Sequence, residues 1–81
     1  MEYSARDIAR ALLADGVQPG SAVDEARDYD RVLSKADPES RLAAMVIRAA
    51  ERELGVVLDG PDEKRLDYRQ AGYLTDLLGR G

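Results

Sequence analysis

The sequence predicts an all-α fold, a small three-to-four-helix bundle forming a single domain over residues 1–81. Three observations lead there. Apolar residues recur at three- and four-residue spacing in several stretches, which is the period of a helix with one buried face. The best of those stretches are bracketed by Ser or Asp where a helix begins and by Gly where it ends. The length is that of one small domain, and no internal repeat, low-complexity tract or interdomain linker interrupts it.

Taken in order, Ser4 caps a first helix, with Asp7 three residues on in a capping-box arrangement. Ala5, Ile8, Ala9 and Leu12 share one face, Leu13 flanks it, and Gly16 ends the helix. Gln18-Pro19-Gly20 is turn chemistry. Ser21 with Asp24 repeats the capping signal, and Ala22, Ala26, Tyr29 and Leu33 give a thinner stripe. This segment reads either as a full helix or as a long loop with a turn or two of helix. Its acids Asp24, Glu25, Asp28 and Asp30 lack the glycine turn and ligand spacing of a calcium loop, so a solvated face is expected.

Pro38 to Gly55 is the stretch around which the rest is organised, with Pro38–Leu54 as its helix. Leu42, Ala43, Val46, Ala49, Ala50 and Leu54 repeat at helical spacing, and Met45 and Ile47 widen the apolar face beyond half of the helix. A surface helix needs a stripe of only about 100°. The wider arc predicts a central helix with neighbours on several sides. Asp37 suits the cap, Pro38 the first helical position and Gly55 the left-handed residue after the end. Arg41, Arg48, Glu51 and Arg52 are expected to form a solvated face, and Ser40 to sit exposed in the first turn. Glu53, within the apolar arc, is expected to snorkel or pair with a nearby Arg.

Past Gly55, the apolar Val56, Val57 and Leu58 are placed to fold back on the helix they follow. Asp59-Gly60-Pro61-Asp62 is a loop. Leu66, Tyr73, Leu74, Leu77 and Leu78 mark a last helix, weakened at Gly72 and ended by Gly79. Tyr29, Tyr68 and Tyr73 are expected in the core or at its edge, with hydroxyls at the surface.

Composition narrows function. There is no Cys, hence no disulfide, thiolate nucleophile or thiolate metal site. There is no His, which removes the usual general base and the commonest metal ligand. A domain this small has little room for a walled enzyme cleft, so the expectation is no enzyme. The net charge of −4 disfavours nucleic acid and anionic membranes and suits partners with basic patches. Leu42 to Ile47 is the longest apolar run, far too short to span a bilayer. The N-terminus lacks a basic start followed by an apolar run, so no secretion signal is expected and the cytoplasm is the default location.

The stretch Glu51-Arg52-Glu53-Leu54-Gly55-Val56-Val57-Leu58-Asp59 resembles the acyl carrier protein family, as does its setting before a last helix. Gly16-Val17-Gln18-Pro19 followed by Val23 looks like the end of that family's first helix and the start of its long first loop. Tyr29 and Leu33 sit at the spacing of that loop's aromatic and leucine anchors. The resemblance covers nearly the whole chain. It implies a monomeric carrier of acyl or peptidyl intermediates in fatty-acid, polyketide or peptide-type synthesis. They are held as thioesters on a covalent 4'-phosphopantetheine arm. Its partners are a phosphopantetheinyl transferase and the acyl-loading and synthase enzymes.

Counting back from Leu54 and Gly55, the attachment position of the family falls on Ser40. Glu39, Arg41, Met45 and Arg48 are then the residues for partner docking. Glu39 stands where the family has Asp, and Arg41 where it has an apolar residue. Counting forward from Leu33 places Pro38 at the attachment position instead, which leaves a carrier-like helical module without an arm, acting by protein–protein docking. Ser40 is then an ordinary first-turn serine, and Arg41, Arg48 and Arg52 a solvated face. A helix-turn-helix regulator is a third reading, opposed by the long turn and the acidic helix that follows it.

Overall fold

The computed structural model describes residues 2–18 and 37–79. The expectations for Ser21, the stripe from Ala22 to Leu33, the acidic cluster and Tyr29 lie outside the described residues. Among the described residues the protein has three α-helices and no strand, so the all-α expectation holds. They are α1 (Ala5–Ala14), α2 (Pro38–Ala49) and α3 (Tyr68–Gly79), and α2 runs on into a π-helical turn over Ala50–Leu54. None of them is long and apolar enough to cross a membrane.

The ends of α1 form as their residues dictate. Ser4 Oγ accepts from the Asp7 amide at 3.1 Å, and the Ser4 amide donates to Asp7 Oδ2 at 3.0 Å, a reciprocal capping box. At the other end Gly16 has φ 84°. The Gly16 amide donates to Leu13 O at 3.0 Å and the Val17 amide to Leu12 O at 3.0 Å. That pair of bonds is a Schellman stop, which needs the left-handed conformation that glycine adopts without a Cβ penalty. Ala5, Ile8, Ala9 and Leu12 are buried as expected, and Leu13 and Val17 are half-buried against them.

In α2, Asp37 is the cap and Pro38 opens the helix. Leu42, Ala43, Val46, Ala49 and Ala50 are buried, together with Ala44, which the periodic reading omits. Met45, Ile47 and Leu54 are half-buried. α1 is the main helical neighbour of α2, and α3 touches it over a smaller area. The expected solvated face is only partly so: Glu51 and Arg52 are exposed, whereas Arg41 and Arg48 are half-buried. The long apolar stem of an arginine can lie along a neighbouring hydrophobic surface, and in Arg48 the burial extends to Nε of the guanidinium.

Gly55 has φ 65° and closes the π turn, its amide reaching both Ala50 O and Glu51 O. The wider turn changes the phase of the last residues. Glu53, which an α-helical period places in the apolar arc, is exposed and pairs with Arg52, accepting from its Nε at 3.0 Å. Val56 is half-buried and its amide donates to Ala50 O at 3.2 Å, so the chain does fold back at this point. Leu58 is buried, but Val57 is 61% exposed.

The chain then returns to the start of α1. Tyr3 and Leu66 form an isolated antiparallel bridge, with Tyr3 N to Leu66 O at 2.7 Å and Leu66 N to Tyr3 O at 3.2 Å. The Arg6 amide, one of the first-turn donors that no helical carbonyl can serve, donates to Pro61 O at 2.8 Å. Leu66 is fully buried but lies ahead of the last helix rather than in it, a correction to the periodic reading. Its backbone is committed to Tyr3, so it is extended rather than helical. The helix starts at Tyr68 behind a second reciprocal box. The Gln70 amide donates to Asp67 Oδ1 at 2.8 Å, and the Asp67 amide to Gln70 Oε1 at 3.1 Å.

α3 buries Ala71 and Leu74 and half-buries Leu77 and Leu78. Its tyrosines are not core residues: Tyr68 is 76% exposed and Tyr73 47%. Tyr68 opens the helix, and a helical side chain tilts toward that end, where no earlier turn is present to receive it. Tyr73 precedes Leu74 by one position, which turns it well away from the face that Ala71, Leu74 and Leu78 share.

With no Phe or Trp available, the core rests on Leu12, Leu42, Val46, Leu66 and Leu74 set among buried alanines. Ala9 and Ala49 are 0% exposed. Ala9→Leu and Ala49→Leu should each cost about 1–3 kcal/mol through overpacking. Leu12→Ala should cost about 2–5 kcal/mol through the cavity it leaves. Urea unfolding followed by circular dichroism measures all three.

Candidate functional site

The candidate site is the amino end of α2, where Ser40 lies. Proline at the first position and Asp37 before it fix the turn, and the first-turn amides make this end electropositive. Ser40 is half-buried rather than exposed, because its side chain turns back onto the cap. Its hydroxyl donates to Asp37 Oδ1 at 2.7 Å, and its amide makes a longer contact of 3.4 Å to Asp37 Oδ2. The hydroxyl bond above all holds the Asp37 carboxyl below the ordinary aspartate pKa, and the amide bond adds to it. A carboxylate therefore already occupies the anion-favouring end of the helix.

Glu39 is engaged elsewhere. Its Oε1 accepts from Arg6 Nη1 at 3.2 Å and from Arg10 Nε at 2.9 Å, both on α1. Arg6 also donates through Nε to Asp62 Oδ1 at 2.8 Å. Glu39 and Asp62 together raise the Arg6 pKa above its ordinary value, the Glu39 bond counting most. The cluster ties the start of α2 and the 59–62 loop to α1. The sequence reading places Glu39 among the docking residues and does not single out Arg6 or Arg10. The available signal is that Arg6 and Arg10 stand four apart, so both lie on one side of the first helix.

The remaining docking residues, Arg41, Met45 and Arg48, are spaced by four and three and share one side of α2. All three are half-buried, and Met45 packs against the hydrophobic core. The residues named from the sequence therefore divide. Ser40 sits in the cap, Glu39 is held by α1, and the other three form a short lateral stripe.

A groove runs between α1 and α3, with Ile8, Ala11, Ala71 and Gly72 among its walls. No residue of α2 lines it, so it is separate from Ser40. Among the described residues, no group of three or more His, Cys, Asp or Glu is placed to hold a metal ion.

Asp7, like Asp37, titrates below the ordinary aspartate value, chiefly because the Ser4 amide donates to it. A depressed folded pKa adds stability above the unfolded value and loses it as pH falls through the folded value. Melting temperatures should therefore drop as pH falls below the ordinary aspartate range, and Asp37→Ala should make that drop shallower. Glu39→Gln should lower the melting temperature in dilute buffer, and the deficit should shrink as salt screens the pairs. Neither protein-family models, curated proteins nor solved structures yield a match to this chain.

Proposed function

We propose that the protein is a carrier of acyl or peptidyl intermediates, with Ser40 bearing a 4'-phosphopantetheine arm. The observation that carries the reading is the position of the Ser40 hydroxyl. It lies in the first turn of α2 and is bonded to the exposed Asp37 carboxylate rather than to a buried partner. A helix amino terminus favours an attached phosphodiester. Arg6 and Arg10, beside the neighbouring Glu39, add positive charge from α1. The arm's thiol does the chemistry, and the chain supplies its address, so the protein is no enzyme in this reading. It would act in the cytoplasm with a transferase and with loading and synthase enzymes. Arg41, Met45 and Arg48 offer these partners one side of α2 next to the arm.

A specific observation favours the second reading, an arm-less docking module. Attachment at Ser40 Oγ removes the proton now shared with Asp37 and sets a phosphate beside a carboxylate. Like charges at that distance repel, and the cap is lost unless Asp37 turns away. The two readings therefore differ in what they require of Asp37.

Incubation with coenzyme A and a broad-specificity phosphopantetheinyl transferase, followed by intact mass measurement, tests the proposal. The expected result is a gain of one phosphopantetheine that is absent in Ser40→Ala. Asp37→Asn should speed modification by removing the repulsion. A folded protein that gains no mass, in the native form and in Asp37→Asn alike, leaves the arm-less module.

A further inference from the structure

We infer that the exposed face of α3 that borders its groove with α1 is a self-association surface, on which two copies of the chain pair with their α3 helices antiparallel across a two-fold axis. The face is defined by what α3 gives the bundle. Ala71 and Leu74 are buried and Leu78 half-buried. Arg69, Gly72, Tyr73 and Asp76 lie away from that side, at three- and four-residue spacing. All four are exposed, and all four border the groove between α1 and α3.

Each of the four has a feature that contacts among the described residues do not call for. Tyr73 keeps 47% of its surface in water. A Cβ on Gly72 meets nothing within 4 Å, so no contact among the described residues calls for glycine there. Yet glycine weakens a helix interior relative to alanine. Arg69 and Asp76 have no ion pair among the described residues.

Their order is self-complementary. The positive residue lies seven positions before the negative one, and Gly72 and Tyr73 fall midway between them. When two α3 helices run antiparallel about that midpoint, Arg69 of each copy faces Asp76 of the other. Gly72 of each copy then faces Tyr73 of the other, an open backbone surface against an aromatic ring. Both pairs occur twice, as an isologous two-fold interface requires. A parallel arrangement sets like charge against like and ring against ring. The occupant that fits this charge pattern is a second copy of the same chain, in place of the monomer that the family resemblance implies. α3 has 12 residues and is about 18 Å long, so the contact is smaller than a standard interface and its dimer is concentration-dependent.

Sedimentation equilibrium on the full chain over a concentration series tests this. The wild type should show a reversible monomer–dimer equilibrium. Arg69→Asp and Asp76→Arg should each lose the dimer, because each sets like charges together twice. An equal mixture of the two variants should regain it, since every charged pair across the mixed interface is again opposite. Gly72→Gln should raise the melting temperature of the chain while losing the dimer, a pair of opposite shifts that a folding defect does not produce. The proposal is overturned by a wild type that stays monomeric throughout. It is overturned equally by a dimer that any of the three variants retains, or by a mixture that stays monomeric.

Discussion

The contact between α1 and α2 is built largely on alanine. A chain without Phe or Trp fills the space between its helices mainly with aliphatic side chains. Ala5 and Ala9 on α1 and Ala43, Ala49 and Ala50 at α2 and its extension are all at most 1% exposed. Leu12, Leu42 and Val46 then suffice to close the core between them. Close packing of small residues leaves little slack, because protein interiors approach crystal density. Arginines on α1 reach a glutamate on α2 because the two helices lie side by side.

The amino end of α2 combines two different jobs. Asp37 and Ser40 serve the helix's own first turn, which is local work between residues three apart. Glu39 works over a longer range, joining Arg6 and Arg10 on α1. Of two adjacent residues, one belongs to the cap and the other to the helix–helix contact. The Ser40 hydroxyl bonds the Asp37 carboxylate at the surface, whereas Glu39 is shared by two guanidinium groups.

Local features of the fold are legible in the sequence, and long-range ones are not. The Ser4–Asp7 box, the Asp37 cap and the glycine stops at Gly16 and Gly55 involve residues within a few positions, and their own chemistry fixes them. The Asp67–Gln70 box is of the same kind and is written equally plainly. By contrast, nothing near Leu66 announces that it pairs with Tyr3, and a leucine ahead of a helical run reads as part of the run. The same limit applies at the candidate site. Ser40 and its cap follow from residues 37–40, but the partners of Glu39 lie 33 and 29 positions away on another helix, and only packing brings them together.

The Tyr3–Leu66 bridge and the Arg6–Pro61 bond also bear on the order in which the molecule can assemble. Residues 61 and 66 leave a ribosome long after α1 does. Until they emerge, α1 has its own caps but nothing to dock its opening turn against. Helices of about ten residues are marginal alone in water. The opening turn of a helix synthesised early is thus secured late, and a nascent chain halted before residue 61 has α1 held by α2 but its first turn undocked.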